Sequence, residues 1–206
     1  MTTTGAGRRR DPEVDRRVLE SAIAVYGEAG WGGFNVETVA KRASVGKASI
    51  YLRWPTKEAL LVEALNQLGG IENVETGDLR ADLIRLANQI LAQYLGATGR
   101  ATLRIAVEAE QIPAVDERWR VLRESQILAA RNIVRRAISR GELPEETSVT
   151  LLLDLLCGAA TMHVQATPAH LRSALSETID DYAHELVDFL LTAVGAGAGA
   201  GASPRG

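Results

Sequence analysis

Between Thr38 and Lys57 the chain carries five basic residues, Lys41, Arg42, Lys47, Arg53 and Lys57, and not one acid. Cations gathered on so short a segment suit the neutralisation of phosphates along a nucleic-acid backbone. Small and polar residues stand beside them, with Gly46, Ala48 and Ser49 flanking Lys47. That mixture suits a helix that has to enter a major groove and read base edges. All three lysines of the chain fall here, although its twenty arginines are spread throughout, so the cluster is not a general solvating surface.

Two short elements must position these side chains. Val36, Val39, Ala40 and Ala43 recur at helical spacing behind the capping residue Asn35. Ser44, Val45 and Gly46 break that pattern. A second helix from about Lys47 to Trp54 puts Ile50 and Trp54 on one face and leaves Lys47, Ser49 and Arg53 for a partner. This is helix-turn-helix anatomy, in which the first helix crosses the duplex backbone and the second lies in the groove. A third wall comes from a helix with Asp11 as N-cap and Pro12 at its first position. Its stripe is Val14, Val18, Ala22, Val25, Tyr26 and Ala29, and Gly30 is its stop. After Pro55, Thr56 caps a helix to about Leu68. Trp31, Phe34 and Val45 read as core.

Net charge is −3 overall but unevenly placed, with ten Lys/Arg against seven Asp/Glu in residues 1–60 and thirteen against nineteen in the remainder. A basic head on an acidic body orients a molecule on DNA and keeps the body off it. The single cysteine, Cys157, excludes an internal disulfide, and neither a signal sequence nor a run of about 18 apolar residues is apparent. A cytoplasmic protein with no membrane partner is expected. Sustained β-alternation is absent, so the fold class is all-α.

Helices are expected from Asp78 to about Leu95, near Arg100 to Gln111, and from about Ala114 to Arg140. The segment Val149 to Val164 is apolar almost all round, and a last helix entered through Thr167 and Pro168 spaces Leu171, Leu175, Ile179, Tyr182, Leu186 and Leu190 by threes and fours. These two helices carry more apolar surface than one small bundle covers. The expectation is a homodimer through a four-helix bundle on a two-fold axis.

The run TVAKRASVGKASIYLRWPTKEALLVEAL resembles the signature of the TetR/AcrR family of bacterial transcriptional repressors over about the first 65 residues. The GELP at Gly141 to Pro144 and the leucine-rich helix after it resemble a recurrent C-terminal subtype. The resemblance implies a repressor dimer whose all-α body encloses a small-molecule pocket, with the effector altering the separation of the reading heads. It divides the chain into a basic arm (1–10), a helix-turn-helix DNA-binding domain (11–55), a connecting helix with ligand-binding and dimerisation domain (56–194) and a Gly/Ala tail (195–206).

By position, the resemblance implies that Thr38, Lys47, Ala48, Ser49, Tyr51, Arg53 and Lys57 meet double-stranded DNA. Lys57, at the first turn of its helix, suits a phosphate and Tyr51 offers a hydroxyl to the backbone. Lys47 and Ser49 can reach base edges, and Ala48 a thymine methyl. Gly46 and Leu52 depart from the hydroxyl and polar residues frequent at those places. Arg8, Arg9 and Arg10 suit either a minor-groove arm or a solubilising tail. A dimer implies a palindromic operator with half-sites roughly 34 to 36 Å apart.

Effector-pocket candidates are polar or polarisable residues on apolar body helices: Gln89, Tyr94, Trp119, Arg123, Cys157, Thr161 and His163, with Glu108, Gln126, Met162 and Gln165 behind them. Three histidines and one cysteine make no metal constellation, and no cofactor is expected. Two other readings stay open. One is a DNA-binding dimer without an effector. The other is an all-α enzyme with an incidental basic module, against which stand the missing phosphate loop, nucleophile elbow and His-x-x-x-His pair.

Overall fold

The computed structural model describes residues 11–68, 70–96 and 98–195, so the Arg8 to Arg10 arm and all but the first residue of the Gly/Ala tail lie outside the described residues. Within them the chain forms nine α-helices and no strand. Four helices build the N-terminal part: α1 (Pro12–Gly33), α2 (Val36–Ala43), α3 (Lys47–Tyr51) and α4 (Lys57–Leu65). Five follow: α5 (Leu79–Leu95), α6 (Gly99–Glu108), α7 (Pro113–Ser139), α8 (Val149–Ala166) and α9 (Arg172–Ala193).

Local capping fixes most helix starts. Side-chain oxygens of Asp11, Asn35, Thr56 and Asp78 accept from the backbone N–H of Glu13, Thr38, Ala59 and Ala81 at 2.7 to 3.1 Å. The reading helix α3 is shorter than its periodicity suggested, ending at Tyr51. Pro55 disfavours helical backbone at Trp54, and the chain turns through Leu52 and Arg53 to bury the Trp54 ring. Gly30 interrupts α1 as expected, at φ +66°, but a further turn through Trp31 to Gly33 continues beyond it.

The buried side chains form two clusters. One joins α1 to α4 with Ala101 and Ile105 of α6, Ala109, and Ile112 and Val115 around the start of α7. The other joins α5, the C-terminal half of α7, α8 and α9. Helix α7 therefore belongs to both, and α6 plugs into the core under the reading head.

Helix α8 is long and apolar enough to cross a bilayer by length and composition, with mean hydropathy 1.4, contrary to the expectation that no such run exists. Here it packs against α5, α7 and α9. It is buried on one side within the chain rather than on several: Leu152, Leu156, Ala160 and Val164 face the core, while Leu151, Leu155 and Met162 are exposed. Helix α9 divides similarly, and Leu190, 3% exposed, belongs to the chain's own core while Phe189 is 72% exposed.

Candidate functional site

The two-helix unit presents Thr38, Lys47, Ala48 and Tyr51 as exposed side chains around α3, with Ser49 half-buried. The inward face holds Ile50, wholly buried, against Val39, Ala40 and Trp54. The turn before α3 depends on Ser44 at φ 57°, a left-handed conformation that lets the Val45 N–H return to Ala40 O at 3.0 Å.

Four of the five basic side chains there, Arg42, Lys47, Arg53 and Lys57, have an internal contact that bears on their availability. Lys47 Nζ lies 2.7 Å from Glu37 Oε2, and this ammonium holds the Glu37 carboxyl below the usual carboxylate range. Arg42 pairs with Glu28 at 2.7 Å. Both pairs are exposed and weak enough to be exchanged for phosphate. Lys57 Nζ sits 3.7 Å from the centre of the Trp31 ring, at the start of α4.

Arg53 corrects the expectation drawn for it. Its Nε lies 2.5 Å from Asp15 Oδ1 of α1, with both side chains under a fifth exposed, and its Nη1 donates to Ser49 Oγ at 2.6 Å. The guanidinium ties α1 to the turn after α3 instead of facing outward.

Beneath the head, α6 clamps the interruption in α1. Arg104 Nε donates to Gly27 O at 3.0 Å and its Nη2 to Glu28 O at 3.2 Å, while Glu108 Oε2 accepts from the Trp31 N–H at 2.9 Å. Burial and the Glu108 carboxylate push the Tyr26 phenol well above its ordinary range. Glu108 is thus a junction residue, not the pocket residue its type suggested. At the other side of the junction Arg118 Nε donates to Asn66 Oδ1 at 2.6 Å, fixing the end of α4 to α7. Arg104 and Arg118 escaped sequence reading because arginines on amphipathic helices ordinarily face solvent.

A cavity of about 310 Å³ opens between α5, α7 and α8, under Ile71. Of the expected pocket residues it takes Tyr94, Cys157, Thr161 and Gln126, and it adds Gln93, Arg131, Thr150 and Asp154. Burial raises the Tyr94 phenol against the opposing pull of Thr161 and Arg123. Burial, with Asp154, pushes the Cys157 thiol up to about 11.

The remaining candidates are placed elsewhere. Trp119 packs against the head-side core and lines a separate void of about 30 Å³. Gln89 Oε1 accepts from the Glu72 N–H at 2.7 Å, which commits it to a loop. The His163 ring stacks on Tyr182 at 3.6 Å and is held below its ordinary pKa by burial. Arg123, Met162 and Gln165 are exposed and not among the residues lining this cavity. Spacing along a helix cannot separate these outcomes, because the neighbouring helix decides which side chains see the cavity.

Residues 18–64 match the family described as bacterial regulatory proteins, tetR family, and residues 74–189, more than half the chain, match the tetracyclin repressor-like C-terminal domain. The chain belongs to the TetR family. The regulator AqdR of Rhodococcus erythropolis is 30% identical to it over 178 residues, covering 85% of this chain and 83% of AqdR. Two crystal structures show the same fold. PfmR of Thermus thermophilus superposes with TM-score 0.66 at 21% identity, over 85% of this chain and 97% of PfmR. MexZ of Pseudomonas aeruginosa, described as a key repressor responsible for antibiotic resistance, gives 0.66 at 20% identity, over 87% and 96%. This TetR-family chain is a DNA-binding helix-turn-helix transcriptional regulator and not an enzyme. Repression, dimers and ligand binding are typical of its family.

Proposed function

We propose that the protein is a cytoplasmic repressor that holds a palindromic operator as a homodimer and releases it when a small molecule fills the cavity between α5, α7 and α8. The observation that carries this reading is the double membership of α7. Its C-terminal half walls the cavity through Gln126, Ala130 and Arg131. Its N-terminal half is tied by Arg118 to Asn66, at the end of the helix that begins with Lys57. An occupant that shifts α7 acts on α4, and α4 carries the head. Effector and DNA then bind different conformations of one dimer and weaken each other reciprocally, by about 1 to 3 kcal/mol.

On this reading Lys47, Ala48 and Ser49 face base edges, and Thr38, Tyr51 and Lys57 face the sugar-phosphate backbone. Lys57 is the phosphate anchor, steadied on the Trp31 ring. The named role of MexZ as a repressor supports the sign of regulation. Selection of bound fragments from the source genome supplies the operator. Titration of labelled operator with the dimer, alone and with compounds that raise its thermal midpoint, then tests release. Compounds that stabilise the protein but leave operator affinity unchanged overturn the effector mechanism. A protected region without dyad symmetry overturns the two-headed grip.

A further inference from the structure

The cavity walls come from Leu86 and Ile90 of α5, Ile127 and Ala130 of α7 and Leu153 of α8, a largely apolar surround. Its volume, about 310 Å³, equals roughly ten waters of liquid at about 30 Å³ each, which is room for a two-ring compound. Formal charges on the lining are one of each sign, Arg131 and Asp154, toward solvent; Asp154 is exposed, and Arg131 donates to Thr150 at 3.2 Å. Farther along the wall stand the Tyr94 phenol and Cys157 thiol, groups that are ordinarily neutral near pH 7 and that burial shifts further from ionisation. A charged occupant would lose its hydration against the apolar walls, where Leu86, Ile90, Ala130 and Leu153 offer it no compensating partner. A neutral one meets no such penalty.

One lining group lacks a partner. Gln126 Nε2 is buried, with no hydrogen-bond acceptor among the described residues. A buried amide N–H left unbonded is unfavourable, so an occupant that supplies an acceptor gains there. The chain leaving α4 runs over the same group, since a Cβ on Gly70 would lie 3.9 Å from Gln126 Nε2 and 3.7 Å from Leu122 Cδ1.

We propose that the cavity takes a neutral, mainly apolar compound of about two rings whose carbonyl-type oxygen accepts from Gln126 Nε2. The proposal deepens the effector reading above and rests on it for the word effector, while its binding chemistry stands apart from DNA.

Three probes of similar bulk separate the possibilities: benzophenone, diphenylmethane, which lacks the carbonyl, and diphenylacetate, which is anionic. Affinities are measured by calorimetry on the full-length protein without DNA. Benzophenone is expected to bind about tenfold more tightly than diphenylmethane, and diphenylacetate more weakly than either. Gln126→Leu should abolish the preference for the ketone and leave diphenylmethane unchanged, and Gln126→Glu, close in shape but without the donor, should do the same. Ultraviolet excitation of bound benzophenone should label cavity peptides from α7 or α8. Tightest binding by diphenylacetate, a ketone preference that survives both substitutions, labelling elsewhere, or no binding of any probe overturns the proposal. Because DNA is absent, such a failure leaves the operator reading standing. Conversely, a ketone that binds as expected without releasing operator overturns the effector reading alone.

Discussion

Arg53 and Lys57 lie four residues apart and have different physical tasks. Arg53 is held between Asp15 and Ser49 with little exposure, so Arg53→Ala removes both its ion pair with the half-buried Asp15 carboxylate and its hydrogen bond to Ser49. The expected cost is about 1 to 3 kcal/mol in denaturant titration. Weakened DNA binding should then follow the loss of folded head, and a stable Arg53→Ala protein with poor operator affinity would restore Arg53 as a contact. Lys57→Ala should leave stability nearly unchanged, weaken operator and random DNA alike, and reduce the salt slope by about one. Lys47→Ala should cost operator binding more than random binding and relax base preference, read by comparing both duplexes over a salt series. The exposed face around α3 was legible because basic, small and polar residues had to share a segment with a two-helix pattern. Arg53 was not, because a helix of five residues gives too little periodicity to fix a face and its partner lies on α1. In the cavity, Tyr94, Cys157, Thr161 and Gln126 were legible as polar atoms on apolar helices. Trp119, Gln89 and His163 share that look, and only the packing of neighbouring helices distinguishes them.

At the scale of elements, the joint between head and body turns on Gly30 and the face of α6 beneath it. A Cβ at Gly30 would come within 2.7 Å of both Arg104 Nη1 and Glu108 Oε1, and the residue's φ of +66° already disfavours any other side chain. Gly30→Ala should therefore destabilise by about 1 to 2 kcal/mol from the backbone alone, with the displaced clamp adding to it. Glu108→Gln keeps an acceptor for the Trp31 N–H and should cost less. Thermal unfolding of the two variants tests the order, and a neutral Gly30→Ala would mean that α6 does not restrain the interruption. Helix starts were readable from Asp11, Asn35, Thr56 and Asp78, since a cap is a local match between one side chain and its own helix. The role of α6 was not readable. Nothing in an amphipathic decapeptide states which of two cores it will enter, and that choice is made by Ile105 and Ala101 fitting under α1.

For the whole molecule the decisive surface is the outer side of α8 and α9, where Leu151, Leu155, Met162 and Phe189 remain exposed on a single chain. Isolated exposed apolar residues are ordinary, but four on two adjacent helices form a patch that monomers seldom leave open. Sequence periodicity located these helices and the surplus of apolar surface, yet the stripe expected to pair across a dimer includes Leu190, a side chain only 3% exposed within one chain. A broad stripe gives no hint of where a chain's own core ends and a partner begins. The distinction decides the experiment, because Leu190→Asp would unfold the body and say nothing about assembly. Phe189→Asp places the charge on a side chain that is 72% exposed, so the fold should survive with a change in stability within about 0.5 kcal/mol at the monomer level. Assembly should not survive, since pairing two copies would bury two carboxylates without partners. Ultracentrifugation should then report a single chain of 22.1 kDa rather than twice that mass. With only one head the second half-site no longer binds as an intramolecular event, and operator affinity should fall by about 10² to 10⁴. Random DNA, gripped mainly through phosphates one head at a time, should lose far less, and an unchanged mass would place the two-fold axis on another face.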